Sequence, residues 1–175
     1  MLKYIYRDMM SMTRFLPYGL AMGVVVFVTL FWTIDKARRH VGKESAAILP
    51  VAVFGSYLSV MLMITFLSRE SGSGGGRGMD LQLFSTWGIN DRNNAFVVEN
   101  VLLFIPYGVL GPWAFTRLKR LDRCAALGAL TSLGIEFLQL ITQRGYFQID
   151  DILTNTLGTM IGCIVFWLFS FGKRR

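Results

Sequence analysis

The chain has 175 residues, of which 53% are hydrophobic, and a mean hydropathy of +0.48. A soluble domain is about 45–50% apolar with glycine counted; here the excess falls in blocks of about 20 residues, the length that crosses a bilayer core, which excludes an ordinary soluble domain. Eighteen Lys and Arg against eleven Asp and Glu give +7, a topology and lipid-surface signal in a membrane protein, and no aromatic-interleaved basic patch points to nucleic acid.

Residues 1–15 are amphipathic. Leu2, Ile5, Met9, Met12 and Leu16 recur at helical spacing, with Lys3, Arg7 and Arg14 elsewhere, the pattern of a helix lying in the lipid interface. Five spans are expected over the rest of the chain, 16–175, near 16–34, 46–68, 95–116, 124–142 and 151–171. The expected fold is all-α, a polytopic transmembrane helical bundle with an N-terminal interfacial helix. Asp35–Ser45 and Arg117–Arg123 read as short basic loops. Residues 69–94 form the longest break; its Ser71-Gly-Ser-Gly-Gly-Gly76 run reads as a flexible surface loop. Pro106 and Pro112 interrupt the third span and predict a kink. Phe15-Leu-Pro-Tyr-Gly19 echoes Phe104-Ile-Pro-Tyr-Gly108, an echo too short to establish a duplication.

Two cysteines, Cys124 and Cys163, are too few for a disulfide framework. The single histidine, His40, has no second ligand nearby, so no metal site is expected. Nothing in the sequence calls for a cofactor.

Positive residues set the expected orientation. Eleven of the 18 Lys and Arg fall in the first loop, the third loop and the C-terminal tail. Those segments are expected in the cytoplasm, with the N-terminus, the long loop and the 143–150 turn outside.

That orientation brings polar residues to one depth. Glu99 and Asn100 lie near the outer end of the third span, Glu136 and Gln139 near the outer end of the fourth, and Asp151 and Asn155 in the first turns of the fifth. Polar and ionisable groups within membrane segments are costly and mark function or fold-fixing contacts. Glu136 and Gln139, at i and i+3, share a helix face. Asp151, Asn155, Gly158 and Gly162 form one stripe, whose lower half is a GxxxG that admits a neighbouring helix. The fourth and fifth spans are expected to face each other across it.

The pattern Asn100-Val-Leu-Leu-Phe-Ile-Pro-Tyr-Gly108, Ile135-Glu136-x-x-Gln139, Arg144, Asp150-Asp151, Asn155, Gly158 and Gly162 resembles the VanZ-like membrane proteins over about residues 95–165. The family is named after a protein giving low-level teicoplanin resistance. The resemblance implies a role in reduced susceptibility of Gram-positive bacteria to glycopeptide and lipoglycopeptide antibiotics, and brings no settled reaction. Many members carry a carboxylate where this chain has Gln148.

The candidate ligand-binding residues are therefore Asn100, Glu136, Gln139, Arg144, Asp150, Asp151 and Asn155, with Pro106, Gly108, Gly158 and Gly162 as packing positions. Arg144 with Asp150 and Asp151 reads either as a headgroup-binding fork or as a turn-stabilising ion pair. One of the two aspartates also reads as a cap of the fifth helix. Glu136 reads as a ligand anchor, proton carrier or cation ligand, or as a structural carboxyl bonded to Asn100, Asn155 or Gln139. Paired carboxylates leave acid–base chemistry open, but no serine, cysteine or histidine nucleophile lies in the cluster, and the balance is against an enzyme. The expected partners are membrane lipids and a lipid-linked cell-wall precursor, lipoteichoic acid or a lipoglycopeptide in the cell envelope.

Overall fold

The computed structural model describes residues 1–41, 48–67, 69 and 78–171. Among the described residues, six α-helices, α1 (Leu2–Thr13), α2 (Leu16–Val41), α3 (Ile48–Leu67), α4 (Asp91–Ala114), α5 (Leu121–Thr142) and α6 (Ile149–Phe171), carry the fold. A 3-10 turn, Thr116–Lys119, links α4 to α5. Two two-residue strands, β1 (Met79–Asp80) and β2 (Phe147–Gln148), pair in parallel. Helices α2 to α6 are each long and apolar enough to cross a membrane, since about 20 residues at ~1.5 Å rise cover the ~30 Å hydrocarbon core.

The element bounds depart from the sequence reading in places. Helix α2 runs on through Val41, so Asp35–Val41, expected as loop, forms its last turns. Helix α4 starts at Asp91 rather than near Ala95, because the Asn90 side chain accepts from the Asn93 N–H and caps it. The glycine-rich run and the C-terminal Lys173–Arg175 lie outside the described residues. Helix α4 stays one α-helix through Pro106 and Pro112. Pro106 is exposed, while Tyr107 and Gly108 beside it are buried.

The GxxxG seam meets α4, not α5. A Cβ on Gly158 would strike the Val101 carbonyl, one on Gly162 the Ile105 carbonyl, and one on Gly108 the Thr159 carbonyl. Three glycines therefore let the α4 and α6 backbones touch, which makes this the most extensive helix pair in the bundle. The expected α5–α6 pairing is also present, with Gly128 of α5 against the Thr159 side chain. Sequence spacing identifies a small-residue face, but it carries no information on which helix fills it.

The remaining contacts follow the same logic. Ser56 of α3 donates to the Gly23 carbonyl of α2 at 2.8 Å, where the missing side chain exposes the backbone. Tyr57 donates to the Leu103 carbonyl of α4, and the Tyr107 hydroxyl pairs with Thr131 of α5 at 2.8 Å. Phe54, Met61, Phe104, Tyr107 and Ile135 form the apolar core where α3, α4 and α5 meet. Helix α1 packs on α4, tied by the Met1 ammonium to Asp91 at 2.8 Å and by Arg92 to Asp8 at 3.8 Å. Its exposed apolar face is Leu2, Tyr6, Met9 and Met10; Ile5 and Met12, expected on that face, are half-buried instead.

Candidate functional site

Helices α3 and α5 end, and α4 and α6 begin, at the same end of the bundle as α1. The β1–β2 pair fastens the 78–90 segment over this end, with the Phe147 N–H donating to the Gly78 carbonyl at 3.1 Å. Beneath it lies a cavity of about 750 Å³, within the range of small-molecule sites. Helix α1 contributes Asp8, Ser11 and Met12 to its wall; α4 contributes Arg92, Phe96, Glu99 and Asn100. Arg69 enters from beyond α3, Ser85 and Thr86 from the covering segment, and Gln148 and Asp151 from β2 and α6.

Asp151 is the junction of the polar groups. Asn100 lines the cavity with it, Glu136 of α5 is near enough to interact with it electrostatically, and Arg69 stands 3.9 Å away. Glu136 is 1% exposed, and its other contact is the Gln148 N–H, which it accepts at 3.0 Å. Two neighbouring carboxyl groups repel when both are ionised, so a positive group beside them offsets that cost. Arg69, 35% exposed, is the cation at that position.

Asn155, one turn deeper, donates to Ser132 at 2.8 Å. Its Oδ1 and the Oε1 of Gln139 are buried and have no hydrogen-bond partner among the described residues; Glu99 Oε1 at the cavity wall is in the same state. Buried acceptors are ordinarily satisfied, so these oxygens mark places where a donor is accommodated.

Asn100, Glu136, Asp151 and Gln148 thus come together as one cluster. Gln139 and Asn155 lie in the α5–α6 interface beside it. Arg144 and Asp150 do not join it. The Arg144 guanidinium donates to the Phe66 carbonyl at 3.0 Å, capping the end of α3. The Asp150 carboxylate accepts the Phe84 N–H at 2.7 Å, the Thr86 N–H at 2.9 Å and the Ser85 hydroxyl at 3.5 Å. It therefore holds the 84–86 backbone rather than capping α6. In place of the expected turn-stabilising ion pair of Arg144 with the aspartates, Arg69 stands beside Asp151. Arg69 is separated from α6 by the long break, so spacing gives no signal for it; Glu99 is legible by depth.

A family model described as VanZ/LLP1 matches residues 15–170. The chain belongs to the VanZ/LLP1 family. It is 33% identical over 92 residues to Protein VanZ of Enterococcus faecium, a match covering 53% of this chain and 54% of that protein. The matched region thus spans about half the length of that VanZ relative. No solved structure matches the chain.

Proposed function

We propose that this VanZ/LLP1 protein lowers susceptibility to glycopeptide antibiotics such as teicoplanin by binding the polar part of a membrane-held amphiphile in the α1–α4–α6 cavity. The amphiphile is a lipid-linked envelope component or the lipoglycopeptide itself. The observation that carries this reading is the cavity: about 750 Å³ at the membrane end of the bundle, with the unpartnered Glu99 oxygen in its wall and the Asp151–Arg69 pair across from it. Such a wall complements a headgroup that offers both N–H or O–H donors and an acidic group, since a carboxylate accepts the former and a guanidinium binds the latter. The apolar lipid-facing helices around it accommodate the acyl part.

The cavity end is assigned to the outer face of the cell membrane, and the C-terminus to the cytoplasm. Three outer arginines are engaged in the fold, Arg69 with Asp151, Arg92 with Asp8 and Arg144 with the Phe66 carbonyl. Arg117, Lys119 and Arg123 at the other end are exposed. Topology is set by basic residues flanking the spans on the cytoplasmic side, and 11 of the 18 Lys and Arg lie in the first loop, the third loop and the C-terminal tail.

The test is teicoplanin susceptibility of a sensitive Gram-positive host expressing Glu99→Gln, Asp151→Asn or Glu136→Gln protein, each checked for monodisperse elution. Loss of resistance to the level of the empty host in the Glu99 and Asp151 variants is expected. Full resistance in both removes the cavity from the mechanism.

A further inference from the structure

Residues 81–90, Leu-Gln-Leu-Phe-Ser-Thr-Trp-Gly-Ile-Asn, contain no charged residue. A connection running through water has no reason to be free of charge, and this one is also strongly apolar on its outside. Leu81, Leu83, Phe84, Trp87 and Ile89 are 61%, 52%, 58%, 39% and 63% exposed. Contiguous exposed apolar surface of this kind marks an interaction site.

The segment is held in this form. Phe84 has a φ of 61°, a left-handed conformation that a bulky residue adopts only under constraint. The constraint is visible: Asp150, 2% exposed at the start of α6, takes the N–H groups on either side of Ser85. The Phe84 ring meets Trp87 edge-on with centroids 5.3 Å apart. A buried carboxylate thus fixes a backbone turn that presents two aromatic rings outward.

We propose that the 81–89 segment is a membrane-inserted anchor whose partner is the interfacial layer of the bilayer. Its position, at an end of a bundle of helices long and apolar enough to cross a membrane, identifies that occupant. Ile89 stands two residues before Asp91–Ala114, a helix long and apolar enough to cross a membrane. Tyr146, 46% exposed, follows the end of α5, where Phe137, Leu138 and Ile141 are exposed as well. The exposed stripe of α1 at Leu2, Tyr6 and Met9 lies at the same end of the bundle. Aromatic rings concentrate at the depth of the lipid headgroups, and an apolar segment flanked by polar amides and hydroxyls settles there. The inference does not depend on the ligand of the cavity.

The test uses full-length protein carrying W32F, W113F and W167F, which leaves Trp87 as the only fluorophore of its kind, in phosphatidylglycerol–phosphatidylcholine vesicles. Trp87 emission is expected to be quenched by nitroxide lipid labelled near the carbonyl and to resist aqueous iodide at least about twofold better than free tryptophan amide, as interfacial indoles do. Iodide quenching equal to that of free tryptophan amide, without quenching by labelled lipid, overturns the proposal; so does protection from both, which is the mark of a protein partner. If the triple variant does not fold, the same quenching is read as the difference between native protein and W87F.

Discussion

Asp151 of helix α6 stands 3.9 Å from Arg69, which enters from beyond the end of α3, with Glu136 of α5 as the neighbouring carboxyl. Arg69→Ala is expected to destabilise the folded protein by about 1 kcal/mol, since the guanidinium is partly exposed and solvent already screens it. The loss should shrink in an Asp151→Asn background, where the charge to be compensated is gone. A double-mutant cycle by denaturant titration in detergent checks this, and additive losses would argue that the two groups do not interact.

Asp150 is expected to matter for stability through the covering segment. Asp150→Ala leaves the Phe84 and Thr86 N–H groups without their acceptor, at a cost of about 1–3 kcal/mol set mainly by the buried Thr86 donor. Limited proteolysis of the 78–90 segment should accelerate in step. Asp150→Asn keeps one acceptor oxygen and should fall between the two proteins on both measures.

The glycine seam gives a contrast within one chain. Gly158→Ala and Gly162→Ala each drive a methyl group into a backbone carbonyl of α4, and backbone cannot rotate out of the way as a side chain can. Each is expected to cost about 1–3 kcal/mol, the range for overpacking. Gly134→Ala, where nothing lies within 4 Å of the added carbon, should be neutral or stabilising by up to ~1 kcal/mol, because alanine is the better helix former. Thermal unfolding of the three variants side by side is the measurement.

Sidedness can be read by thiol labelling, because Cys124 and Cys163 are buried. Gln143→Cys, at the cavity end, should react with an impermeant maleimide on intact protoplasts. Arg117→Cys, beside the 3-10 turn at the opposite end, should react only after permeabilisation. The reverse pattern would place the cavity in the cytoplasm and end the proposed role in drug access at the cell surface.

Arg144 should behave as a structural residue. Arg144→Ala removes a cap on the last turn of α3 at the Phe66 carbonyl, with an expected cost of about 0.5–1.5 kcal/mol. Teicoplanin resistance per folded molecule should be retained. A loss of resistance without loss of folded protein would return Arg144 to the binding site.

What the sequence determined by itself was everything that depends on one helix at a time. Span length and apolar content follow from the bilayer, and the common depth of Glu99, Asn100, Glu136 and Asp151 follows from counting residues along spans that must reverse direction. Asn100, Glu136 and Asp151 met for that reason. The choice of neighbours was decided only by the tertiary structure. The Gly158–Gly162 stripe fits any backbone that comes close, and α4 occupies it because Gly108 offers a matching gap. Likewise, Arg69 rather than Arg144 faces Asp151, and Asp150 holds the Phe84 and Thr86 backbone of a segment 64 to 66 residues away. These pairings cross long loops, and a loop fixes how far two residues can separate, not which partner each one finds.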